Sequence, residues 1–413
     1  MPILTKGKTN WKYILIVMIL TGIVGGLTLY WYSKFPEIVY PPIKPPKMGG
    51  EFLYVLTQNF GTLATEPIGE FEWPFFEVLK VDLKTSKIIK KIKSDGLGVK
   101  IKKGKNVYIL SYKFPPKIRE LTRTEDIVRA IQSLKSFEDL EKFITVYDEN
   151  LNQIASYSLD IFDFQVDNNY LYGLGEKKLE IFDFQNPTNP QKISSLSFGK
   201  TSHDIIFKDD KLYILDNIMM PLYLHLVDVK NPKEPKLFTY QTWGINAHLD
   251  TQDVTDKWFI VESYAHMGGG GRNLLVFTIT PPIQPIANID LQSGSWLEIK
   301  NWLEIRRIKI IDSYLYALNL TNYNSVELLI YDLKDLKEAK NVSAFLLEEN
   351  KNLHLFEEMG IRLPLVSNNN ILYYGGDDGV YIIDISDPSK PSKQNIIKTD
   401  FQVISLELSA EDQ

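Results

Sequence analysis

Three of the five histidines in this 413-residue chain stand beside carboxylates or glycines between positions 203 and 272. His203 is followed by Asp204, His248 precedes Asp250 by two positions, and His266 opens a His-Met-Gly-Gly-Gly-Gly-Arg run ending at Arg272. Imidazole and carboxylate held together could bind Zn²⁺ or Cu²⁺, or pass a proton in acid–base chemistry. His203, His248 and His266 are therefore the candidate metal ligands, with Asp204, Asp250 and Arg272 as further candidates for ligand binding. The plainer alternative is that His203 and His248 occupy a polar position of a repeated strand. Four glycines bring backbone close to a ligand or simply loosen a loop, and this run lacks the spacing and following helix of a phosphate loop. No nucleophile elbow, haem-attachment motif or HExxH is present, so the sequence names no catalytic residue and requires no cofactor. Cysteine is absent, which removes disulfides, thiolate metal sites and iron–sulfur clusters.

The elements that must position these residues are read from a repeat. An apolar residue followed by an aromatic opens a short β-like run at Leu53-Tyr54, Val107-Tyr108, Leu171-Tyr172, Leu212-Tyr213, Trp258-Phe259, Leu315-Tyr316 and Leu372-Tyr373. Recurrence at intervals of roughly 40 to 65 residues is the pattern of a β-propeller, an all-β ring of four-stranded blades. The pair marks strand B of each blade. Strand C ends in an apolar pair and Asp, as at Val81-Asp82, Tyr147-Asp148, Phe182-Asp183, Val227-Asp228, Tyr331-Asp332 and Ile383-Asp384. Three copies continue into an Asx-Pro turn, at Asn186-Pro187, Asn231-Pro232 and Asp387-Pro388, where the side chain accepts backbone N–H groups and Pro fixes φ. These Asp residues are accordingly assigned to turns rather than to a ligand. Inner A strands are expected near Val99, Phe164, Ile205, Asp250, Ile308, Leu365 and Ile404. That places His203 and His248 at similar points of consecutive A strands, with His266 in a B-to-C loop opening on the same face.

Val403-Ile-Ser-Leu-Glu-Leu408 stands alone after the last repeat, while the first repeat lacks an A strand. Pairing 402–408 with 51–57 completes a seventh blade and removes the open edges of the array. Seven blades is the first reading; the uneven spacing leaves six or eight open.

The turns of Val380-Tyr-Ile-Ile-Asp-Ile-Ser-Asp-Pro-Ser-Lys-Pro391 and Leu226-Val-Asp-Val-Lys-Asn-Pro-Lys-Glu-Pro235 resemble the motif of the LVIVD-repeat proteins. The resemblance is close over 160–240 and 360–400 and looser elsewhere. It implies a propeller carried by bacterial or archaeal surface proteins, a family with no single assigned reaction. The fifth repeat departs from the motif, with Thr278 where Asp is expected.

Three segments interrupt the repeat. Residues 113–142 carry Thr124 as a helix cap, Ile127, Val128, Ile131 and Leu134 at helical spacing, and Ser136 opening a second short helix. This helical pair, inserted in blade two, is read as a cap against the propeller, with a lid or partner-docking element as the alternative. Residues 291–304 hold Trp296 and Trp302, and the glycine run is the third interruption. Between Lys80 and Lys105 ten Lys stand against two Asp, a guard against edge pairing or, more sharply, a contact for a polyanion or lipid headgroup.

From Ile14 to Tyr32 no residue is charged, long enough to span a bilayer. Lys6, Lys8 and Lys12 precede the run and interfacial aromatics flank it, so the N-terminus is placed in the cytoplasm and the body outside. The organisation expected is a cytoplasmic tail 1–11, an uncleaved transmembrane signal anchor 12–33, a Pro-rich linker 34–50, the propeller 51–409 and a tail 410–413. A formal charge of −6 argues against nucleic acid as a partner. The expected function is a single-pass, membrane-anchored extracytoplasmic propeller acting as a non-catalytic binding module for an envelope protein or surface polymer. The alternative is a propeller enzyme, oxidoreductase or hydrolase, with a Zn, Cu or small-molecule site at the channel mouth near blades four and five.

Overall fold

A computed structural model describes residues 51–61, 72–132, 134, 139–198, 204–216, 222–242, 247–265, 272–292, 303–321, 325–336, 339–349 and 363–409. In chain order, β1 (Phe52–Asn59), β2 (Phe75–Asp82) and β3 (Lys87–Asp95) begin blade one. Blade two is β4 (Leu97–Lys103), β5 (Val107–Lys113), β6 (Glu141–Tyr147) and β7 (Gln153–Ser158). Blade three is β8 (Asp163–Asp167), β9 (Tyr170–Gly175), β10 (Lys178–Asp183) and β11 (Gln191–Ser197). Blade four is β12 (Ile205–Lys208), β13 (Lys211–Asp216), β14 (Leu222–Asp228) and β15 (Lys236–Thr242). Blade five is β16 (Ala247–Val254), β17 (Trp258–Ala265), β18 (Arg272–Thr278) and β19 (Pro285–Gln292). Blade six is β20 (Ile305–Ile311), β21 (Tyr314–Thr321), β22 (Ser325–Asp332) and β23 (Lys340–Glu349). Blade seven is β24 (Leu365–Asn368), β25 (Ile371–Gly375), β26 (Gly379–Asp384) and β27 (Ser392–Lys398), and β28 (Gln402–Leu408) ends the series.

These strands form seven four-stranded antiparallel sheets, and β28 joins blade one as its inner strand. It pairs with β1 from Leu53 opposite Leu408 to Gln58 opposite Gln402. Each inner strand, β4, β8, β12, β16, β20, β24 and β28, neighbours the next around a closed ring. The fold is therefore an all-β, seven-bladed propeller closed by its two ends, and the alternatives of six or eight blades are excluded.

The B-strand pair explains why blades stack. Successive side chains of a strand point to opposite faces, so Leu53 packs toward blade seven with Tyr373 and Val380, while Tyr54 packs toward blade two with Ile101 and Val107. Seven apolar clusters result, one at each blade interface. Blade five corrects the sequence reading by one position. There Phe259 pairs with Phe277 and faces blade four, as Leu212 faces blade three, and Ile260 takes the place of the tyrosine. Trp258 lies one step earlier, opposite Thr278.

The C-to-D turns form as expected. Asp82, Asp148, Asp183, Asp228, Asp332 and Asp384 each accept the backbone N–H two residues on, at 2.7–3.0 Å. Asn186, Asn231 and Asp387 repeat the contact one turn later. In blade five the Thr278 hydroxyl substitutes, accepting from Gln284 N at 2.9 Å. The apolar residue after the Asp closes the hook: Phe184, Val229, Leu333 and Ile385 are buried, and their N–H groups donate to carbonyls of the A-to-B turn.

The insertion in blade two contains α1 (Pro116–Arg119) and α2 (Thr124–Gln132). Thr124 is the first helical residue rather than the cap, because the Arg123 carbonyl accepts from Asp126 and Ile127. The short helix precedes α2, whereas the one expected at Ser136 falls outside the described residues. Ile118, Ile131 and Leu134 pack on the apolar cluster of blades two and three and Ile127 is buried, so this segment is a cap on blade two. Among the described residues no helix is long and apolar enough to cross a membrane. The expected anchor 12–33, the linker 34–50 and the tail 410–413 lie outside them.

Candidate functional site

In an antiparallel blade, A-to-B and C-to-D turns lie at one end and B-to-C and D-to-A connections at the other. The first set is short, the longest being the seven-residue connections 184–190, 229–235, 333–339 and 385–391. The second set includes 60–74, 114–140, 266–271, 293–304 and 350–364. The two faces therefore differ: one is trimmed to hydrogen-bonded turns and the other carries the insertions.

Between the faces runs a channel bordered by the inner strands. Register against the B strands sorts its side chains into layers, one residue per blade. Opposite the repeated B-strand aromatic, or Ile260 in blade five, stand Glu407, Lys102, Gln165, Ile206, Asp253, Lys309 and Val366 from blade one to blade seven. Two steps toward the insertion-bearing face stand Ser405, Lys100, Asp163, Asp204, Thr251, Arg307 and Pro364. Four A strands carry one extra residue just beyond this second layer, at Val99, Asp250, Arg306 and Ile404, each a β-bulge that re-aims the strand.

Most charges in these layers tie one blade to its neighbour. Lys102 bonds Glu407 at 2.8 Å and Lys309 bonds Asp253 at 3.1 Å. Lys100 pairs with Asp163, whose other oxygen accepts from Ile205 N of blade four at 3.2 Å. Asp253 likewise accepts from Ile310 N at 2.7 Å, and Ser405 from Ile101 N at 3.3 Å. Burial pushes the Lys100 ammonium below the usual lysine range, against the pull of Asp163 and Asp204. The channel wall thus carries side chains that staple the inner strands of blades one to four, and those of blades five and six.

Of the sequence candidates, Asp204 is buried immediately before β12, where its charge acts on Lys100. Asp250 is the bulge residue of β16, and His248 pairs in register with Tyr264 on the same strand. His203 and His266 lie outside the described residues, as do the glycine run, Trp296 and Trp302. Arg272 opens β18, buried, with its guanidinium on Glu262 at 2.8 Å and on the Leu303 carbonyl at 2.8 Å. It ties blade five to the start of blade six. Among the described residues no group of three His, Asp or Glu side chains is arranged to hold a metal ion.

The sequence did not single out Lys100, Lys102, Asp163, Asp253, Arg307 or Lys309. Polar residues on a strand with an apolar alternate face were the signal, and the bulges obscured it. The basic stretch 80–105 also divides. Lys100 and Lys102 line the channel, Lys91 pairs with Glu77 at 2.9 Å and Lys84 with Glu51 at 2.8 Å, while Lys87 and Lys90 remain exposed on the outer strand β3.

Residues 368–399 match the family model of the LVIVD repeat. The chain is a seven-bladed β-propeller that carries an LVIVD repeat in its last blade. The match spans β25 to β27, and the Asx hook at Asp384 is the physical content of its motif. No curated protein is similar in sequence. Similar solved structures include a protein of Lactobacillus plantarum with TM-score 0.55 and 8% identity, covering 87% of this chain and 99% of that one. The periplasmic gluconolactonase of Pseudomonas aeruginosa aligns with TM-score 0.52 and 10% identity over 87% of this chain and 99% of that one. A putative 6-phosphogluconolactonase from Bacteroides fragilis aligns with TM-score 0.51 and 11% identity over 88% and 99%. At these identities the likeness is one of fold.

Proposed function

We propose that this LVIVD-repeat propeller is a non-catalytic binding module, anchored in the cell membrane by 12–33 and held outside the cytoplasm, that presents its insertion-bearing face to an envelope protein or surface polymer. The observation that carries the reading is the asymmetry of the faces: long connections leave one end of the blades and short Asx turns close the other. Binding residues concentrate on loops held by a rigid scaffold, and here the scaffold is a closed ring. The paired channel charges support the same reading, since an ammonium held by a carboxylate is a staple before it is a catalyst.

Photo-crosslinking in intact cells tests it. A crosslinking side chain placed in 217–221 or 266–271 should yield a discrete adduct, whereas one at Asn231 or Asp387 should not. Equal adducts from both faces, or none from the insertion-bearing face, would overturn the reading. The enzyme alternative draws on the fold shared with proteins named as gluconolactonases, which is analogy of fold and not of site. Metal analysis of the purified chain separates the two, stoichiometric Zn or Cu favouring the enzyme.

A further inference from the structure

Arg307 differs from the charges around it. On β20 its neighbours are committed: Arg306 to Glu304, and Lys309 to Asp253 in blade five. No described residue forms an ion pair or side-chain hydrogen bond with the Arg307 guanidinium. Alternation sets Arg307 on the same side of the strand as Lys309, and register sets it in the layer of Lys100, toward the insertion-bearing face. Lys100 meets Asp163 of the following blade; the position following Arg307 is Pro364, which offers no side-chain acceptor. The half of the channel at blades five to seven thus carries a partly buried cation whose counter-charge the neighbouring inner strands do not supply. A partly desolvated guanidinium without a partner among the described residues favours an external anion, and its planar fork fits the two oxygens of a carboxylate.

We propose that the channel binds a small organic carboxylate at Arg307, within the layer formed by Ser405, Lys100, Asp163, Asp204, Thr251, Arg307 and Pro364. This site is separate from the protein-binding face proposed above and stands whether or not that face is correct.

The test is thermal unfolding of the full chain in detergent, titrated with sodium succinate at constant ionic strength. A saturable rise in midpoint is expected, because a ligand that binds only the folded state stabilises it by mass action. Arg307→Gln should weaken the apparent affinity tenfold or more. Arg307→Lys, which keeps the charge but loses the fork, should fall between the two. Midpoints without succinate report whether either variant is damaged in itself, and if Arg307→Gln does not fold, Arg307→Lys carries the comparison. No rise, an equal rise with sodium chloride, a rise with inorganic phosphate but not succinate, or an affinity unchanged in both variants would each overturn the proposal.

Discussion

Six of the seven repeats place a tyrosine at the second position of the B-strand pair, and each is buried between blades. Burial pushes the hydroxyls of Tyr54, Tyr108 and Tyr213 up to about 12, and those of Tyr172, Tyr316 and Tyr373 upward as well. In the unfolded chain a tyrosine ionises near 10, so these groups favour the folded state fully below that pH, and the advantage is lost as pH rises through 12. Each contributes a slope of up to about 1.4 kcal/mol per pH unit in that window. Lys100 acts in the opposite sense, since a lowered lysine pKa makes stability climb as pH rises toward the unfolded value. Six tyrosines outweigh one lysine. The unfolding midpoint should therefore fall steeply above pH 10, with tyrosinate absorbance appearing together with loss of the β-sheet signal; absorbance that rises while the sheet persists would contradict it. The tyrosines were legible in the sequence because an aromatic beside a leucine at a fixed interval is conspicuous. The channel residues were not, because Lys100, Asp163 and Arg307 resemble surface residues until the register of the inner strands is known.

At the scale of elements, the C-to-D hairpin was read most accurately. Its chemistry is local: Asp reaches a backbone N–H two residues away, and the sequence contains both partners. Asp228→Ala removes the bond to Lys230 N and should cost about 1 kcal/mol, read as a lower denaturation midpoint with unchanged cooperativity. A change beyond about 3 kcal/mol would mean that the turn anchors more than itself. Elements set by tertiary pairing were read less well. Its aromatics place the fifth repeat at Trp258-Phe259, but the ring aligns it by Thr278, one residue over. In the same way bulges at Val99, Asp250, Arg306 and Ile404 leave no trace in a one-dimensional pattern. Thr124 has the composition of a cap, yet the chain enters the helix one residue earlier.

For the molecule as a whole, closure by β28 is the feature on which the ring depends. Removing residues 402–413 deletes Val403, Ile404 and Leu406 from two blade interfaces, strands Lys102 without Glu407 and opens the edge of β1. The truncated chain should fail to give a cooperative transition and should aggregate on purification; a normal midpoint would mean that six intact blades hold the ring unaided. Closure was legible because one repeat began a strand late and the chain ended a strand long, a deficit and a surplus that fit. The layered channel has a further consequence. Blade contacts are written by the B and C strands together with apolar residues of the inner strands such as Ile101, Ile205 and Val403, whereas each inner strand also adds one side chain to each layer, so the lining varies in chemistry from blade to blade. A seven-letter word, Ser-Lys-Asp-Asp-Thr-Arg-Pro in one layer and Glu-Lys-Gln-Ile-Asp-Lys-Val in the next, can change spelling while the ring that displays it stays the same. Ile206 and Val366, uncharged letters in the second word, are the places where a designer could give this scaffold a new ligand.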